Sequence, residues 1–145
     1  MSRTMLRAED LKWHQSGRDI LSIGEISLEA GEVLALVGPN GAGKSSLLLT
    51  LALLQSPTEG SIWVNGEQAH NGNRLALRRR MATVFQEPHL LDFSVWHNVD
   101  WPLRMRGIGR AEATARTEHW LERFGISHLA GRPARRLSGG EAQRT

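Results

Sequence analysis

Hydrophobic and polar residues alternate along the first part of the chain. Residues 5–32, MLRAEDLKWHQSGRDILSIGEISLEAGE, keep this period of two and contain turn signals at Ser16-Gly17 and Gly31. Such alternation, broken at small residues, predicts antiparallel strands that expose one face. The pattern then changes to a near-continuous apolar run, EVLALV (32–37), which predicts a central strand buried on both faces.

A helix is predicted shortly after this run. From Gly43 the apolar positions of KSSLLLTLALLQ follow a helical period, and the helix must end before Pro57. The next apolar stretch, GSIWVNGEQ (60–68), predicts a strand that meets the turn pair Asn65-Gly66. A strand that reaches this pair of residues favours a hairpin.

Helical patterns dominate the second half of the chain. A short basic helix is predicted near 74–80, followed by one more strand, MATVFQ (81–86). Ser94 can cap a helix over residues 95–106. The helix RAEATARTEHWLERFG (110–125) is expected to end at Gly125. The helical period of this segment places four residues near one face: Ala113, Trp120, Leu121 and Phe124.

Composition indicates one soluble globular domain. The chain has 145 residues, of which 40% are hydrophobic and 23% charged, and it has no cysteine. Disulfides and cysteine-ligated metals are therefore excluded. The N-terminus, MSRTMLRAED, becomes charged before any apolar segment forms, so no signal peptide is expected. No transmembrane segment is expected either, because the longest apolar run, LLLTLALL (47–54), is far shorter than the roughly 18 residues that a spanning helix needs.

The excess of arginine could indicate a nucleic-acid surface, but the distribution of the basic residues favours scattered surface charges. The chain carries 16 Arg and 2 Lys, with a net charge of +3. The arginines are scattered, apart from RRR at 78–80, and no basic stripe with interleaved aromatic residues accompanies them. No nucleic-acid partner is therefore predicted.

A glycine-rich phosphate loop lies between the predicted strand 32–37 and the helix that follows it. GPNGAGKS (38–45) matches GxxxxGK[ST] in the context of strand, loop and helix. Its backbone N–H groups can face a phosphate, Lys44 would reach the β- and γ-phosphates, and the Ser45 hydroxyl would bind Mg²⁺. The predicted ATP-binding residues here are Gly38, Pro39, Asn40, Gly41, Ala42, Gly43, Lys44, Ser45 and Ser46.

Three motifs in this order resemble the ATP-binding subunits of ABC transporters: GPNGAGKS, VFQEP (84–88) and LSGGEAQR (137–144). The similarity extends to GEISLEAGEVLALVGPNGAGKS before the loop and to HNVDWPLRMRG (97–107) after the glutamine. The resemblance implies an α/β P-loop NTPase fold with an N-terminal antiparallel β subdomain and a helical subdomain. It divides the chain into a β-rich nucleotide-binding part (1–88), a helical subdomain (89–137) and the start of the signature helix (138–145).

The resemblance also assigns roles to individual residues. Gln86 matches the glutamine that in the family senses Mg²⁺ and the γ-phosphate and links the core to the helical subdomain. Trp13 lies near the position of the aromatic residue that stacks on adenine, and its alternative is a tryptophan that only packs. Local chemistry alone predicts that Ser138 and Glu141 form a capping box at a helix start. In the family, the signature residues contact ATP on the opposite subunit of a head-to-tail dimer: Ser138, Gly139, Gly140 and Glu141.

Other residues of the family pattern have no match in these 145 residues. Family members carry, after the signature, a buried strand that ends in Asp-Glu and later a histidine. No Asp-Glu pair occurs in the chain, and no histidine follows the signature. The ATPase core is therefore expected to be incomplete at the C-terminus, as in the N-terminal part of a longer ATPase. ATP binding with poor hydrolysis is expected, and the isolated chain is expected to be marginally stable or prone to aggregation.

The function implied by the resemblance is that of the ATP-binding subunit of a bacterial ABC importer. The segments FQEPHLL and LSGGEAQR look similar to those of importers of oxyanions such as tungstate, molybdate or phosphate. The expected cofactors are ATP and Mg²⁺. The expected partners are a second ATP-binding subunit, a transmembrane permease and a substrate-binding protein, with the chain peripheral on the cytoplasmic face of the membrane.

Two other functions compete with this one. A soluble ABC-type ATPase that acts on DNA or ribosomes would carry long coiled-coil or zinc-bearing insertions or two fused cassettes. Between Gln86 and Ser138 the chain has neither heptads nor cysteines, which argues against that class. The chain could also be a P-loop kinase or GTPase, but that function would not explain the LSGGE segment.

Overall fold

The structure, a computed structural model, describes residues 3–15 and 17–145. These residues fall into two compact units, one that ends at Thr83 and one that runs from Val84 to Thr145. Each unit has its own hydrophobic core. Of the predicted turn Ser16-Gly17, Ser16 lies outside the described residues, whereas Gly17 has the positive φ of a turn glycine, +75°.

The first unit contains one antiparallel sheet. Strands β1 (Thr4–Gln15) and β2 (Arg18–Glu29) pair along their whole length, and β3 (Glu59–Val64) pairs with the other edge of β1. Strand β4 (Glu67–Gln68) follows β3 through Asn65 and Gly66, whose φ values of 52° and 82° are those of a tight hairpin turn. The order β2-β1-β3-β4 confirms the predicted antiparallel strands and hairpin.

Two helices pack on this sheet. Helix α1 (Lys44–Leu51) begins directly after the phosphate loop, and α2 (Arg74–Arg78) follows β4. Their buried leucines join Ile62 and Val64 of β3, which follow the period of two, and Ala8 and Leu11 of β1. Ala8 and Leu11 are three residues apart, because the register of β1 on β3 shifts between Glu9 and Lys12. The buried core of this unit consists of Ala8, Leu11, Leu21, Leu47, Leu51, Leu53, Ile62, Val64 and Leu77.

Two strand predictions are wrong. Residues 32–37 and 81–86 form no strand, and Val33 and Val37 are 93% and 94% exposed. A central strand requires ladder partners on both edges and cover on both faces. Within the part of the chain that the structure describes, the sheet contains only β1 to β4, so neither segment has a ladder partner.

The second unit is helical. It contains α3 (Val95–Met105), α4 (Arg110–Arg123) and α5 (Gly139–Arg144), with 3-10 turns at Ser127–Leu129 and Ala134–Arg136. Its buried core consists of Val95, Leu121, Ile126 and Leu129. The predicted cap of α3 is confirmed, because the Ser94 hydroxyl accepts a hydrogen bond from the His97 backbone N–H at 3.3 Å. In the described part of the chain, no helix combines the length and the hydrophobicity that a membrane span needs.

Gly125 terminates α4 as predicted, two residues after the last helical residue Arg123, but the apolar face of the helix differs from the prediction. Gly125 has φ +67° and donates to the Glu122 carbonyl, while Ile126 donates to the Leu121 carbonyl. These two bonds are those of a Schellman motif, which requires a left-handed residue at this position. Ala113 and Leu121 are buried as expected, whereas Trp120 and Phe124 are exposed and stack on each other at 5.9 Å.

Candidate functional site

The phosphate loop of the first unit curls before α1. Gly41 and Gly43 both have a left-handed backbone, with φ values of 83° and 81°. Gly43 is the N-cap of α1 and has no side chain that could bond the first N–H groups of the helix. Because the first N–H groups of a helix have no partners within it, those of Lys44, Ser45 and Ser46 are available to an anion.

Lys44 is folded back over this loop. Its ammonium nitrogen donates to the carbonyl oxygens of Gly38 at 2.8 Å and Pro39 at 2.7 Å. The loop backbone is closed further by a bond from the Ala42 N–H to the Pro39 carbonyl at 3.3 Å. The charge of Lys44 therefore lies beside the loop backbone, whose N–H groups can surround a phosphate.

Gly43 is fixed sterically as well as by its backbone conformation. A Cβ added to Gly43 would lie 2.7 Å from the Ile20 carbonyl oxygen of β2. The same addition at Gly41 meets nothing within 4 Å. The loop therefore approaches β2 as closely as a glycine allows.

Gly43→Ala is expected to disrupt the loop more than Gly41→Ala. Both substitutions place a Cβ in a left-handed backbone, which costs roughly 1–2 kcal/mol. Only Gly43→Ala also forces β2 and the loop apart. The melting temperature and the affinity for MgATP should both decrease in the order wild type, Gly41→Ala, Gly43→Ala. Equal effects of the two substitutions would contradict the close approach to β2.

A shallow cavity of about 310 Å³ lies between the loop and β2. It is lined by Leu21, Ile23, Ala35, Leu36, Val37, Ala42, Gly43, Lys44 and Leu47. Trp13, the predicted adenine-stacking residue, is not one of these residues. It lies on β1 opposite Leu21 and packs partly against the core of the first unit.

Gln86 and the signature residues lie in the second unit. Gln86 is exposed in a segment without regular structure. Its neighbour Phe85 accepts a hydrogen bond through its carbonyl from the Gln143 side chain of α5, at 3.4 Å. The structure thus brings the Gln86 segment to the signature helix, although the two lie more than fifty residues apart.

The predicted capping box at the start of α5 is confirmed. A Glu141 carboxylate oxygen accepts from the Ser138 backbone N–H at 2.7 Å and from its hydroxyl at 2.9 Å. The Ser138 oxygen in turn accepts from the Glu141 N–H at 3.4 Å. These bonds hold the pKa of Glu141 below its ordinary value, and the charges of Arg132 and Arg144 act in the same direction.

Glu141→Gln is expected to change the acid side of the stability profile. Because folding lowers the pKa of Glu141, its charge stabilises the fold above the ordinary value of 4.5, and this stabilisation is lost as the pH falls through the lower folded pKa. The melting temperature of the variant should therefore fall less steeply in acid than that of the wild type. Glu118→Gln on α4 is the matched control and should keep the wild-type profile. Parallel profiles for all three proteins would contradict the capping role.

Gly139 and Gly140 are not required by the local structure. A Cβ added at either position meets nothing within 4 Å, and neither residue has a positive φ. Glycine in a helix costs about 0.5–1 kcal/mol relative to alanine, so two of them at the start of α5 are locally unfavourable. Their small size is useful if another molecule approaches this backbone closely.

Two supporting residues were not predicted from the sequence. The Asn98 side chain accepts from the Leu91 N–H at 2.8 Å and donates to the carbonyls of Leu91 and Ser94 at 3.1 and 3.0 Å. It thereby fixes the chain between Gln86 and α3. Arg132 accepts from the Val95 N–H through its carbonyl and pairs with Glu141 through its side chain at 3.4 Å. The sequence signal was weak, because both residues act mainly on backbone groups that only the folded unit brings near.

A comparison with protein families gives a match over most of the chain. A family model described as ABC transporter matches residues 21–145, which include the phosphate loop, Gln86 and the signature. Within these matched residues, the first unit contributes the loop and the second unit contributes the other two motifs.

Three curated relatives are named after three different transport systems. The methionine import ATP-binding protein MetN of Symbiobacterium thermophilum is 36% identical over 138 residues, which cover 91% of this chain and 42% of the relative. The lipoprotein-releasing system ATP-binding protein LolD 1 of Rhodospirillum rubrum is 40% identical over 136 residues, covering 88% and 60%. The tungstate uptake system ATP-binding protein TupC of Peptoclostridium acidaminophilum is 31% identical over 139 residues, covering 96% and 63%. The chain thus spans between 42% and 63% of the length of these relatives.

A solved structure shares the fold. The dimeric ATP-binding cassette MJ0796, in a post-hydrolysis state with bound ADP and Pi, superposes with a TM-score of 0.85. It is 25% identical to this chain, and the match covers 97% of this chain and 66% of that one.

Proposed function

Because this chain belongs to the ABC transporter family, we propose that it is an ATP-binding subunit that energises transport across a membrane. Residues 38–46 hold the triphosphate, with Lys44 on its β- and γ-phosphates. The Ser45 hydroxyl of the same loop supplies an oxygen for Mg²⁺, which neutralises phosphate charge when it is bound. An exposed hydroxyl is a suitable ligand for this ion.

The observation that carries the proposal is the uncapped start of α1. The Gly43 N-cap leaves the N–H groups of the first helical turn without side-chain partners, and Lys44 adds a full positive charge beside them. The Lys44 ammonium bonds to two loop carbonyls. A triphosphate would compete for that ammonium with formal negative charge, which makes stronger hydrogen bonds than a neutral carbonyl.

A head-to-tail dimer completes the proposed ATP site. Ser138, Gly139, Gly140 and Glu141 of one chain face the phosphate loop of the second, with ATP between them. The two glycines support this arrangement, because nothing within their own unit requires them. Trp13 is proposed to stack on adenine, since it is half-buried on the strand next to β2.

The proposed transport direction is import by a bacterial system, and the proposed cargo is an oxyanion such as tungstate, molybdate or phosphate. The similarity to the tungstate uptake subunit supports this cargo. The proposed partners are a transmembrane permease and a substrate-binding protein, and the proposed location is the cytoplasmic face of the membrane. Measuring tungstate and methionine uptake in cells with and without the gene separates this cargo from that of the methionine importer.

The polypeptide of these 145 residues is proposed to bind ATP and hydrolyse it slowly. Lys44, Ser45 and the loop N–H groups serve binding, whereas no residue of the chain matches the family's Asp-Glu pair or later histidine. Phosphoryl transfer depends on positioning the attacking water. A chain without the Asp-Glu pair and the histidine should therefore lose turnover more than binding.

Calorimetric titration with MgATP and a phosphate-release assay on the same sample test both parts of the proposal. Binding with slow release is the expected result. Absence of binding would refute the nucleotide site, and rapid release would refute the slow hydrolysis. Affinity purification from cells should recover a permease, and recovery of DNA or ribosomes would favour the soluble class instead.

A further inference from the structure

Trp13 lies between two irregularities in the pairing of β1. On the side of β3 the register shifts between Glu9 and Lys12, and on the side of β2 it shifts between Trp13 and His14. Bulges of this kind bend a strand and re-aim the side chains beside them. The direction of the Trp13 side chain is therefore not set by continuous ladder pairing and depends on the contacts around it.

The irregularity on the side of β3 is built into the backbone. Asp10 of β1 has a left-handed φ of 49°, and Gly60 of β3 has φ 94°. A Cβ added to Gly60 would lie 2.5 Å from the Asp10 carbonyl oxygen, so only glycine permits this close approach. The end of β1 that carries Trp13 is thus set off from the regular part of the β1–β3 ladder.

Thr58, just before β3, holds the backbone on both sides of Trp13. Its N–H donates to the Lys12 carbonyl at 2.7 Å, and its hydroxyl oxygen accepts from the His14 N–H at 3.1 Å. The carbonyl before a strand residue and the N–H after it point to the same edge of the strand. In a regular ladder the acceptor for the His14 N–H would be a backbone carbonyl. Here a side-chain hydroxyl takes its place.

The irregularity on the side of β2 lies against the phosphate loop. His14 is paired with Asp19, and their side chains meet with 2.5 Å between His14 Nδ1 and a carboxylate oxygen. The extra residue of this bulge is Ile20, which lies between Asp19 and the partner of Trp13. The Ile20 carbonyl is the group that leaves no space for a Cβ at Gly43. The bulge beside Trp13 is therefore also the place where β2 approaches the loop.

We propose that Thr58 positions the Trp13 ring for stacking on the base of the bound nucleotide. The inference rests on the proposed function, in which Trp13 stacks on adenine while the loop holds the triphosphate. The bulges leave the direction of the ring to local hydrogen bonds, and Thr58 makes two of them. Trp13 is half-buried, so part of its surface is open to a ligand. Thr58 acts through the backbone beside Trp13 and is therefore a positioning residue.

Two ligands separate the contribution of the base from that of the triphosphate. MgATP contains both groups, whereas magnesium tripolyphosphate lacks the base. Calorimetric titration of the full chain with each ligand gives two Kd values, and their ratio measures the effect of the base. Stacking of a base on an aromatic ring strengthens binding roughly five- to a hundredfold. The wild type is therefore expected to bind MgATP more tightly than tripolyphosphate by such a factor.

Thr58→Val removes the acceptor for the His14 N–H at nearly unchanged side-chain size. It should weaken MgATP binding about fivefold, as expected for one hydrogen bond, and leave tripolyphosphate binding unchanged. Thr58→Ser keeps the hydroxyl and should keep the wild-type ratio. The matched control is Thr4→Val at the other end of β1, where the hydroxyl donates to Glu29 at 2.7 Å. This control should change neither Kd.

Three results would overturn the inference. They are equal weakening of both ligands in Thr58→Val, the same loss in Thr58→Ser as in Thr58→Val, and the same loss in Thr4→Val. Melting temperatures show that each variant is folded. Trp13→Ala, titrated in parallel, should bring the two Kd values together. An unchanged ratio in Trp13→Ala would refute the stacking, and the role of Thr58 with it, whereas a wild type that binds neither ligand would refute the nucleotide site itself.

Discussion

Replacing Lys44 with alanine is expected to raise the Kd for MgATP roughly ten- to a hundredfold. The physical reason is the loss of charge-assisted hydrogen bonds, which contribute about 1.5–3 kcal/mol each. Without a phosphate the Lys44 ammonium bonds only to the neutral Gly38 and Pro39 carbonyls. The substitution therefore removes more from the bound state than from the free state, and calorimetric titration measures the difference.

The chain offers a matched control for this substitution. Lys12 is the other lysine of the sequence, and it forms an exposed ion pair with Glu59 at 2.7 Å on the β-sheet. Exposed pairs of this kind contribute little to stability. Lys12→Ala should therefore leave both the Kd and the melting temperature near their wild-type values. An unchanged Kd in Lys44→Ala, with the fold intact, would contradict the assignment of the phosphate loop.

Local patterns predicted the parts of the fold that local interactions determine. The alternation in β1 and β2 and the Asn65-Gly66 turn indicated the antiparallel sheet, because each signal acts within a few residues. The end of α4 at Gly125 was predictable for the same reason. Residues 32–37 were different, because a strand buried on both faces forms only when distant segments supply its ladder.

The helical region shows a second limit of the sequence. Period alone placed Trp120 and Phe124 near the buried face of α4 with Leu121, yet both rings are exposed. Leu121 and Ile126 fill the core around the Schellman motif, so large neighbouring rings are left outside. A helical period defines which residues are neighbours, but the volume available in the core decides which of them are buried.

The candidate site was predictable in its motifs and less so in its supports. The phosphate loop and the capping box depend on residues adjacent in the chain, and both have the local structure that the sequence indicated. Asn98 and Arg132 bind backbone groups brought near them by folding of the second unit. No spacing rule identifies such contacts, because their partners are backbone N–H and C=O groups, which residues carry whatever their side chain.

The two separate cores lead to the second large prediction, which concerns Leu11 and Leu121. Each side chain is buried, Leu11 in the core of the first unit and Leu121 in that of the second. Truncation of a buried leucine to alanine costs about 2–5 kcal/mol, which is a large part of the stability of a small domain. Leu11→Ala is therefore expected to abolish MgATP binding, because β1 supports β2 and the loop beside it.

Leu121→Ala should give the complementary result. It is expected to reduce helical circular dichroism by unfolding α3 and α4, while binding of MgATP through the Lys44 loop continues, since that loop packs on the other core. Leu11→Met and Leu121→Met conserve volume and should lose less than about 1.5 kcal/mol. If Leu121→Ala lost MgATP binding as completely as Leu11→Ala, the first unit would depend on the second for its fold. Retained binding would instead make the first unit sufficient to hold the nucleotide, with the signature residues acting on the partner chain.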